Sequence, residues 1–563
     1  MSARPIRQNA RPSRPRLPEN LALASAHPTG ARAKPRFGEL ARRSQRQSHR
    51  ILIAALAGAL TSVGFAPIGL WPATVVGVAG FALASHGPHS GRRAAAVGTA
   101  FGFVFTAITL NWMRMIDPGA AAGLIVAMTT WYALLGVATS LAFTTRAWPV
   151  LSAGLWLAME YAASRFPFGG FGWLRLGYTM LDSPLSGLLP LVGVGGLSFA
   201  TALLAQSLAW VAIRTSWRRV SALAALIAGL LLAALVGGAL PPPATTGNIT
   251  LGWVQGGAPG GGIYGIGAER STSYRHADQT AKLAEEISSG RADVPDAVIW
   301  PENATDLDPR VDATTRSLIE ASVAAARAPI LVGTILKGPG QDERQTASQW
   351  WTTQGAGPTY IKRSLVPFGE WIPFRDVLLP LVPQLRYVGA QSVPGTVAGT
   401  LPVTLRDGRA ATVGVLLCFD VAFDQVAYDL PGNGAQIIVV QSSNAMYQGS
   451  SQVDQQFAIT RARAAELKRE VLVVTTSGVS GIIGPDGKPR LRVEQGAASG
   501  VTTLPLRDGL TPAAMISVPL QQVLSLASLA WLALLARSCY IRWAIGIRNR
   551  YTFITVKTPS STR

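Results

Sequence analysis

The chain has 563 residues, a formal net charge of +20, only 14% charged residues and a mean hydropathy of +0.28. That length exceeds one ordinary domain, and the low charge fraction argues against a wholly soluble protein and for a membrane protein with a soluble part. Two cysteines and five histidines, none clustered, leave no ligand set for zinc.

Residues 1–50 carry twelve Arg/Lys against two Glu, are rich in Pro, Ser and Ala, and show no apolar periodicity. The segment reads as a disordered, basic cytoplasmic tail that touches anionic headgroups non-specifically. It is too long and polar for the start of a signal peptide. Seven apolar stretches follow, at 51–66, 68–85, 94–116, 119–143, 147–163, 186–213 and 220–240, with an eighth at 511–536. Most reach the ~20 residues that cross a bilayer. The first two share a turn at Pro67 and are read as two spans; a single re-entrant hairpin is the alternative. The expectation is a membrane domain over 51–240 and an eighth span before a basic cytoplasmic tail, 537–563.

The placement of charge orients these spans. Counting the tails and alternate short loops, one side collects twenty-four basic residues; the other holds only Arg114, Arg165 and Arg175. By the positive-inside rule both termini are cytoplasmic and residues 248–508 lie outside the cytoplasm. That segment has 23 basic and 25 acidic residues, so it lacks the basic patch that a nucleic-acid partner would require.

Residues 248–508 alternate uncharged strand-like runs (249–254, 297–300, 330–335, 411–417, 437–440 and 471–474) with helical patterns near 271–289, 311–327 and 453–469. This indicates an α/β domain with sheets covered by helices. The glycine-rich loop Gly256–Gly267 follows the first strand without opening a helix, so it reads as a flexible loop near the site rather than a dinucleotide fingerprint.

Cys418 ends the apolar run from Val413, at the tip of a buried strand, and reads as a nucleophile. His276 alone among the histidines lies in this part of the chain, on a polar helical stretch, so a carboxylate must move the proton. Glu302, in Trp300-Pro-Glu, and Lys362, in Tyr360-Ile-Lys, precede Cys418. A lysine ammonium favours a thiolate, and a partly desolvated glutamate can act as base and then acid. Glu370 lies eight residues past Lys362 and folds back toward it. Glu160, late in the fifth stretch, is expected to pair with Arg165. Cys539 reads as packing near the inner end of the eighth.

Glu302, Lys362 and Cys418 in this order resemble the nitrilase superfamily. The run Lys362-Arg-Ser-Leu-Val-Pro-Phe-Gly-Glu370-Trp-Ile-Pro373, with seven spans before the domain and one after, resembles bacterial apolipoprotein N-acyltransferases. Phe166 to Trp173, Leu176 to Pro184, Arg463 to Leu467 and Thr476 to Val479 are similar to further segments of that family. The resemblance covers about residues 51–540. It implies an α-helical membrane bundle of about eight transmembrane helices carrying an extracytoplasmic nitrilase-like α-β-β-α sandwich, in a bacterial plasma membrane. It implies a catalytic triad of Glu302, Lys362 and Cys418, supported by Glu370 and the Phe419 backbone N–H, with no cofactor and no metal. The implied partners are a phospholipid acyl donor and a diacylated lipoprotein acceptor.

Some positions depart from the family pattern. Phe419 and Asp420 stand where Tyr and Glu are usual. Asn444 lacks the following Asp, and Tyr264 is the nearest substitute for a loop tryptophan. Two other functions use the same layout: a membrane-tethered amidase with water as acceptor, and a non-enzymatic scaffold for a lipid-using glycosyltransferase.

Overall fold

The computed structural model of the chain describes residues 37–87, 90–262 and 267–555. Residues 1–46 form a separate unit, described over 37–46 as helix; the unit from Gln47 onward holds every candidate site residue.

Each of the eight apolar stretches is helical: α1 (Phe37–Ser62), α2 (Trp71–Ser85), α3 (Gly91–Thr109), α4 (Pro118–Ala142), α5 (Trp148–Ala163), α6 (Leu189–Ile213), α7 (Trp217–Ala239) and, at the far end, α13 (Pro512–Thr555). Among the described residues, four helical segments are long and apolar enough to cross a membrane: 118–142, 186–213, 217–239 and 512–541. Of the eight expected spans, four meet this criterion. α2 and α5, with 15 and 16 residues, fall short of the roughly 30 Å of a hydrocarbon core at about 1.5 Å per residue.

Both tails also differ from expectation. α1 begins fourteen residues before position 51, and α13 runs well past 536. The Glu, Leu, Ala, Arg and Gln of 37–50 are good helix formers and extend a helix already nucleated by apolar packing. Residues 1–36 and 556–563 lie outside the described residues.

Between α7 and α13 the chain builds two sheets. One uses β1 (Ala244–Gln255), β2 (Ala297–Ile299), β3 (Ile330–Lys337), β4 (Glu343–Thr352), β5 (Gly355–Ile361), β6 (Gln391–Ser392) and β13 (Ala498–Asp508), in the order β13-β1-β2-β3-β4-β5 with β6 beside β4. The other runs β12-β11-β10-β9-β8-β7, from β7 (Thr400–Thr404), β8 (Ala410–Leu417), β9 (Ile437–Ser442), β10 (Val471–Thr475), β11 (Ser480–Ile483) and β12 (Pro489–Val493).

Alternate residues of both sheets share one buried cluster: Ile249, Leu251 and Trp253 on β1, Val413, Val415 and Leu417 on β8, Ile437 and Val439 on β9. Their neighbours point outward. Val254, Val298, Ile330 and Val332 are covered by α8 (Ser271–Ser288) and α9 (Ala313–Ala326). Leu416, Ile438, Val440 and Val473 are covered by α11 (Asp424–Gly432) and α12 (Ser451–Leu467). The short α10 (Arg375–Leu381) lies in the long loop after β5. The period-two alternation of a strand with two buried faces produces this α-β-β-α sandwich.

The cluster under α11 and α12 runs on without a break into the helices of the apolar bundle. A buried ionic network sits in that seam. Arg175 donates to Asp424 at 2.7 Å and to Gln521 at 2.6 Å, and Arg463 bridges Asp424 at 2.9 Å and Glu466 at 2.6 Å. At Gly193 α6 departs from helical geometry (φ 68°), and the next N–H, of Val194, donates to Glu466 at 2.5 Å. A side chain at 193 would strike Ser517 and Tyr428. Glu160 joins this network through Arg175 at 3.8 Å rather than pairing with Arg165, which stacks on Tyr161 instead. Such pairs are costly to bury and costlier to break, so they fix one relative seating of bundle and sandwich.

Candidate active site

β2, β3 and β5 run in one direction, since β2 and β3 pair in parallel and β4 is antiparallel to both β3 and β5. β8, β9 and β10 are parallel to one another. Glu302 follows β2, Lys362 follows β5, Cys418 follows β8 and Asn444 follows β9, so every candidate stands just beyond the carboxyl end of a strand. That is where α/β sheets leave side chains free of the ladder.

Glu302 is brought in by a tight approach: a side chain at Gly333 would strike the Pro301 carbonyl, which only glycine accommodates. Cys418 opens a single 3₁₀ turn, Cys418–Ala422, with φ at 46°, a left-handed conformation that is strained for a residue with a Cβ and lifts the thiol off the strand axis.

The three candidates and Glu370 form one group, with Glu302 and Lys362 buried and Cys418 and Glu370 half-buried. Lys362 Nζ donates to Glu302 Oε1 and to Glu370 Oε1, both at 2.9 Å. Glu302 Oε2 accepts from the Ser443 N–H at 3.1 Å, and Glu370 Oε2 from the Val366 N–H at 2.8 Å. Glu370 therefore folds back across Pro367 and Gly369 onto the lysine.

Burial pushes the Cys418 thiol up, the Glu302 carboxylate adds to this, and the Lys362 ammonium opposes it. Lys362 favours the thiolate as expected, but its charge is shared with two carboxylates, so burial and Glu302 outweigh it. Burial also raises the Glu302 carboxyl, against Lys362, while the two carboxylates hold Lys362 well above the usual range against its own burial. One cation facing two carboxylates gives a resting charge of minus one. A thiolate formed by losing a proton to water would make it minus two; transfer to Glu302 leaves it unchanged.

His276 does not reach this group. It is buried on α8 with Nδ1 donating to the Thr272 carbonyl at 2.7 Å, and burial brings it down to about 4.

The two departures after the cysteine have structural correlates. Asp420 is buried beneath the turn and accepts from Tyr360 at 2.9 Å, Leu417 N–H at 3.1 Å and Ser364 N–H at 2.8 Å. It ties the cysteine turn to the lysine loop. Phe419 is placed among aromatics, its ring centroid 6.1 Å from Trp173, 5.9 Å from Phe171 and 5.1 Å from Phe423. Phe171 and Trp173 belong to the connection between α5 and α6, so the bundle itself braces the cysteine turn. Tyr447 lies half-buried by the site and edge-on to Trp112 at 5.4 Å; burial and Cys418 push its phenol up. The glycine loop does lie beside the site: Gly257 N–H reaches Thr476 O and Gly262 N–H reaches Met446 O, each at 2.8 Å. Tyr264 lies outside the described residues.

Two family models match the chain: the apolipoprotein N-acyltransferase N-terminal domain over 57–207 and carbon-nitrogen hydrolase over 299–502. The apolipoprotein N-acyltransferase of Mycolicibacterium smegmatis is 31% identical over 90% of this chain and 88% of its own length. The chain belongs to the apolipoprotein N-acyltransferase family. The family's enzyme from Azotobacter vinelandii is 27% identical over 79% of this chain and 87% of its own. Among solved structures, an amidase from Nesterenkonia sp. aligns at 15% identity and a TM-score of 0.35, covering 48% of this chain and 94% of the amidase.

Proposed function

We propose that the chain moves a fatty acyl group from a membrane phospholipid, through a thioester on Cys418, to the α-amine of the lipid-modified N-terminal cysteine of a lipoprotein. Membership of the family supports the reaction class. The observation that carries the mechanism is the buried Glu302–Lys362 pair, with Glu370 on the same ammonium, beside the Cys418 thiol.

In the first half-reaction Glu302 takes the Cys418 proton and sulfur bonds to the ester carbonyl carbon. The carbonyl electron pair moves to oxygen, which Lys362 and the Phe419 backbone N–H stabilise. Collapse breaks the ester C–O bond, and Glu302 returns the proton to the departing lysophospholipid. In the second, the amine attacks the thioester, the C–S bond breaks, and the amine's surplus proton passes through Glu302 to the sulfur. The product is an amide, more stable than the thioester.

Both substrates are bilayer-bound, and the surroundings suit them. Phe374, Val377, Leu381 and Tyr387 are largely exposed on and beside α10, in the loop that begins at Lys362. Phe168, from the connection after α5, meets Phe368 at 5.9 Å and Phe374 at 5.8 Å. An exposed apolar rim over a polar site is what a lipid donor at the membrane surface would contact.

Intact-protein mass spectrometry after incubation with phospholipid alone is expected to show a long-chain acyl adduct on Cys418. A small transient acyl group would indicate an amidase, and a bare thiol would remove the acyl-enzyme. The orientation, both termini cytoplasmic, rests on the basic asymmetry. A reporter active only outside the cytoplasm should work when fused after position 245 and fail when fused after Arg550; the reverse would overturn the placement of the site.

A further inference from the structure

α12 carries two adjacent glutamines with different partners. Gln455 accepts from the Trp112 and Trp173 indoles at 3.0 and 2.9 Å and donates to the Thr109 carbonyl at 3.0 Å. It pins the helix to the connections of the apolar bundle. Gln456, 3% exposed, donates from Nε2 to Cys418 Sγ at 3.3 Å, within reach for a sulfur acceptor. Its carbonyl oxygen accepts from Asn444 Nδ2, so the amide is held with its nitrogen toward the sulfur. Asn444, at φ 50°, is held in turn by Gln452 at 3.4 Å.

We propose that Gln456 is a further catalytic residue: its side-chain N–H is a fixed neutral donor to the reacting sulfur. It stabilises the thiolate once the proton is on Glu302, and again when the thioester C–S bond breaks. No proton leaves the amide. The proposal rests on Cys418 being the nucleophile.

The charges around the sulfur explain why a neutral donor suits the position. Glu302 comes from the end of β2, Lys362 and Glu370 from the loop after β5, and the Tyr447 phenol from the turn before α12. Asp420 lies beneath the turn with its oxygens bonded elsewhere. Lys362 is occupied by two carboxylates, and a second cation would carry its own burial cost. An amide N–H supports negative sulfur while leaving the net charge of the group unchanged.

The test uses the full-length protein in alkyl maltoside micelles, which carry no acyl ester, with phospholipid added only for the acylation assay, and Gln456→Met, which keeps the volume and loses the donor. Iodoacetamide labelling of Cys418 across pH reads the thiolate fraction without substrate. The labelling profile should move about one pH unit higher, and thioester formation should slow about ten- to a hundredfold with KM little changed, as expected for a lost hydrogen bond to a charged acceptor. A packing role alone would shift KM or thermal stability and leave the labelling profile in place. If Gln456→Met fails to fold, the isosteric Gln456→Glu carries the same test, with a larger shift because a carboxylate repels the thiolate. A labelling profile and acylation rate within about twofold of wild type in the folded variant overturn the proposal. If instead Cys418→Ala still acylates substrate, the nucleophile assignment beneath it is wrong.

Discussion

Cys418→Ser is expected to fold and to lose acyl transfer entirely. The hydroxyl fits the same strained turn and the same Gln456 donor, because the change removes little volume. The chemistry does not survive it. Burial and Glu302 already push the thiol up, and a hydroxyl, intrinsically far less acidic, is displaced further out of reach. Glu302, whose oxygens are engaged by Lys362 and Ser443 N–H, is too weak a base to activate it. Cys418→Ala should lose the acyl adduct as well. An in vitro assay with phospholipid and a diacylated lipopeptide decides the matter: near-normal N-acylation by either folded variant would sink the mechanism.

Glu302→Gln and Glu370→Gln are expected to separate two carboxylates that hold the same lysine. Each accepts from Lys362 Nζ through one oxygen at 2.9 Å, so pairing does not distinguish them. Their second oxygens do. Glu302 Oε2 meets the Ser443 N–H in the turn that precedes Asn444, whereas Glu370 Oε2 meets Val366 N–H inside its own loop. Glu302→Gln removes the carboxylate assigned to take the thiol proton. Acyl-enzyme formation should fall by the ~10²–10⁴-fold typical of a lost general base. Glu370→Gln leaves the base in place and loosens the loop and Lys362, so both half-reactions should slow while Cys418 still acylates over long incubation. A mass or gel-shift assay for the thioester reads each variant alone. Normal acylation by Glu302→Gln together with none by Glu370→Gln would exchange the two roles.

Much of this arrangement is legible in the chain because it is locally encoded. Apolar runs mark the eight helices, since a helix covered by lipid or by other helices shows little polar face. Strand ends mark Glu302, Lys362 and Cys418, since a polar or reactive residue closing an uncharged run has to leave the ladder. Helix ends are less legible: α1 and α13 extend into basic sequence that composition alone reads as tail, because once a helix is nucleated each further residue costs little.

Contacts across long sequence separations are a different matter. Arg175 reads as a loop charge that helps set orientation, yet tertiary structure buries it against Asp424, 249 residues away. Asp420 reads as a shortened site carboxylate, and folding turns it into the acceptor for Tyr360. Gln456 carries no motif of its own and Asn444 keeps only part of one; Gln456 reaches the sulfur, with Asn444 behind it, only because β9 lies beside β8 and Gln455 is seated on two tryptophans from the bundle. Periodicity and motif report which side of its own element a residue faces. Which distant side chain meets it there depends on the packing of sheets and helices, and only the folded chain decides that.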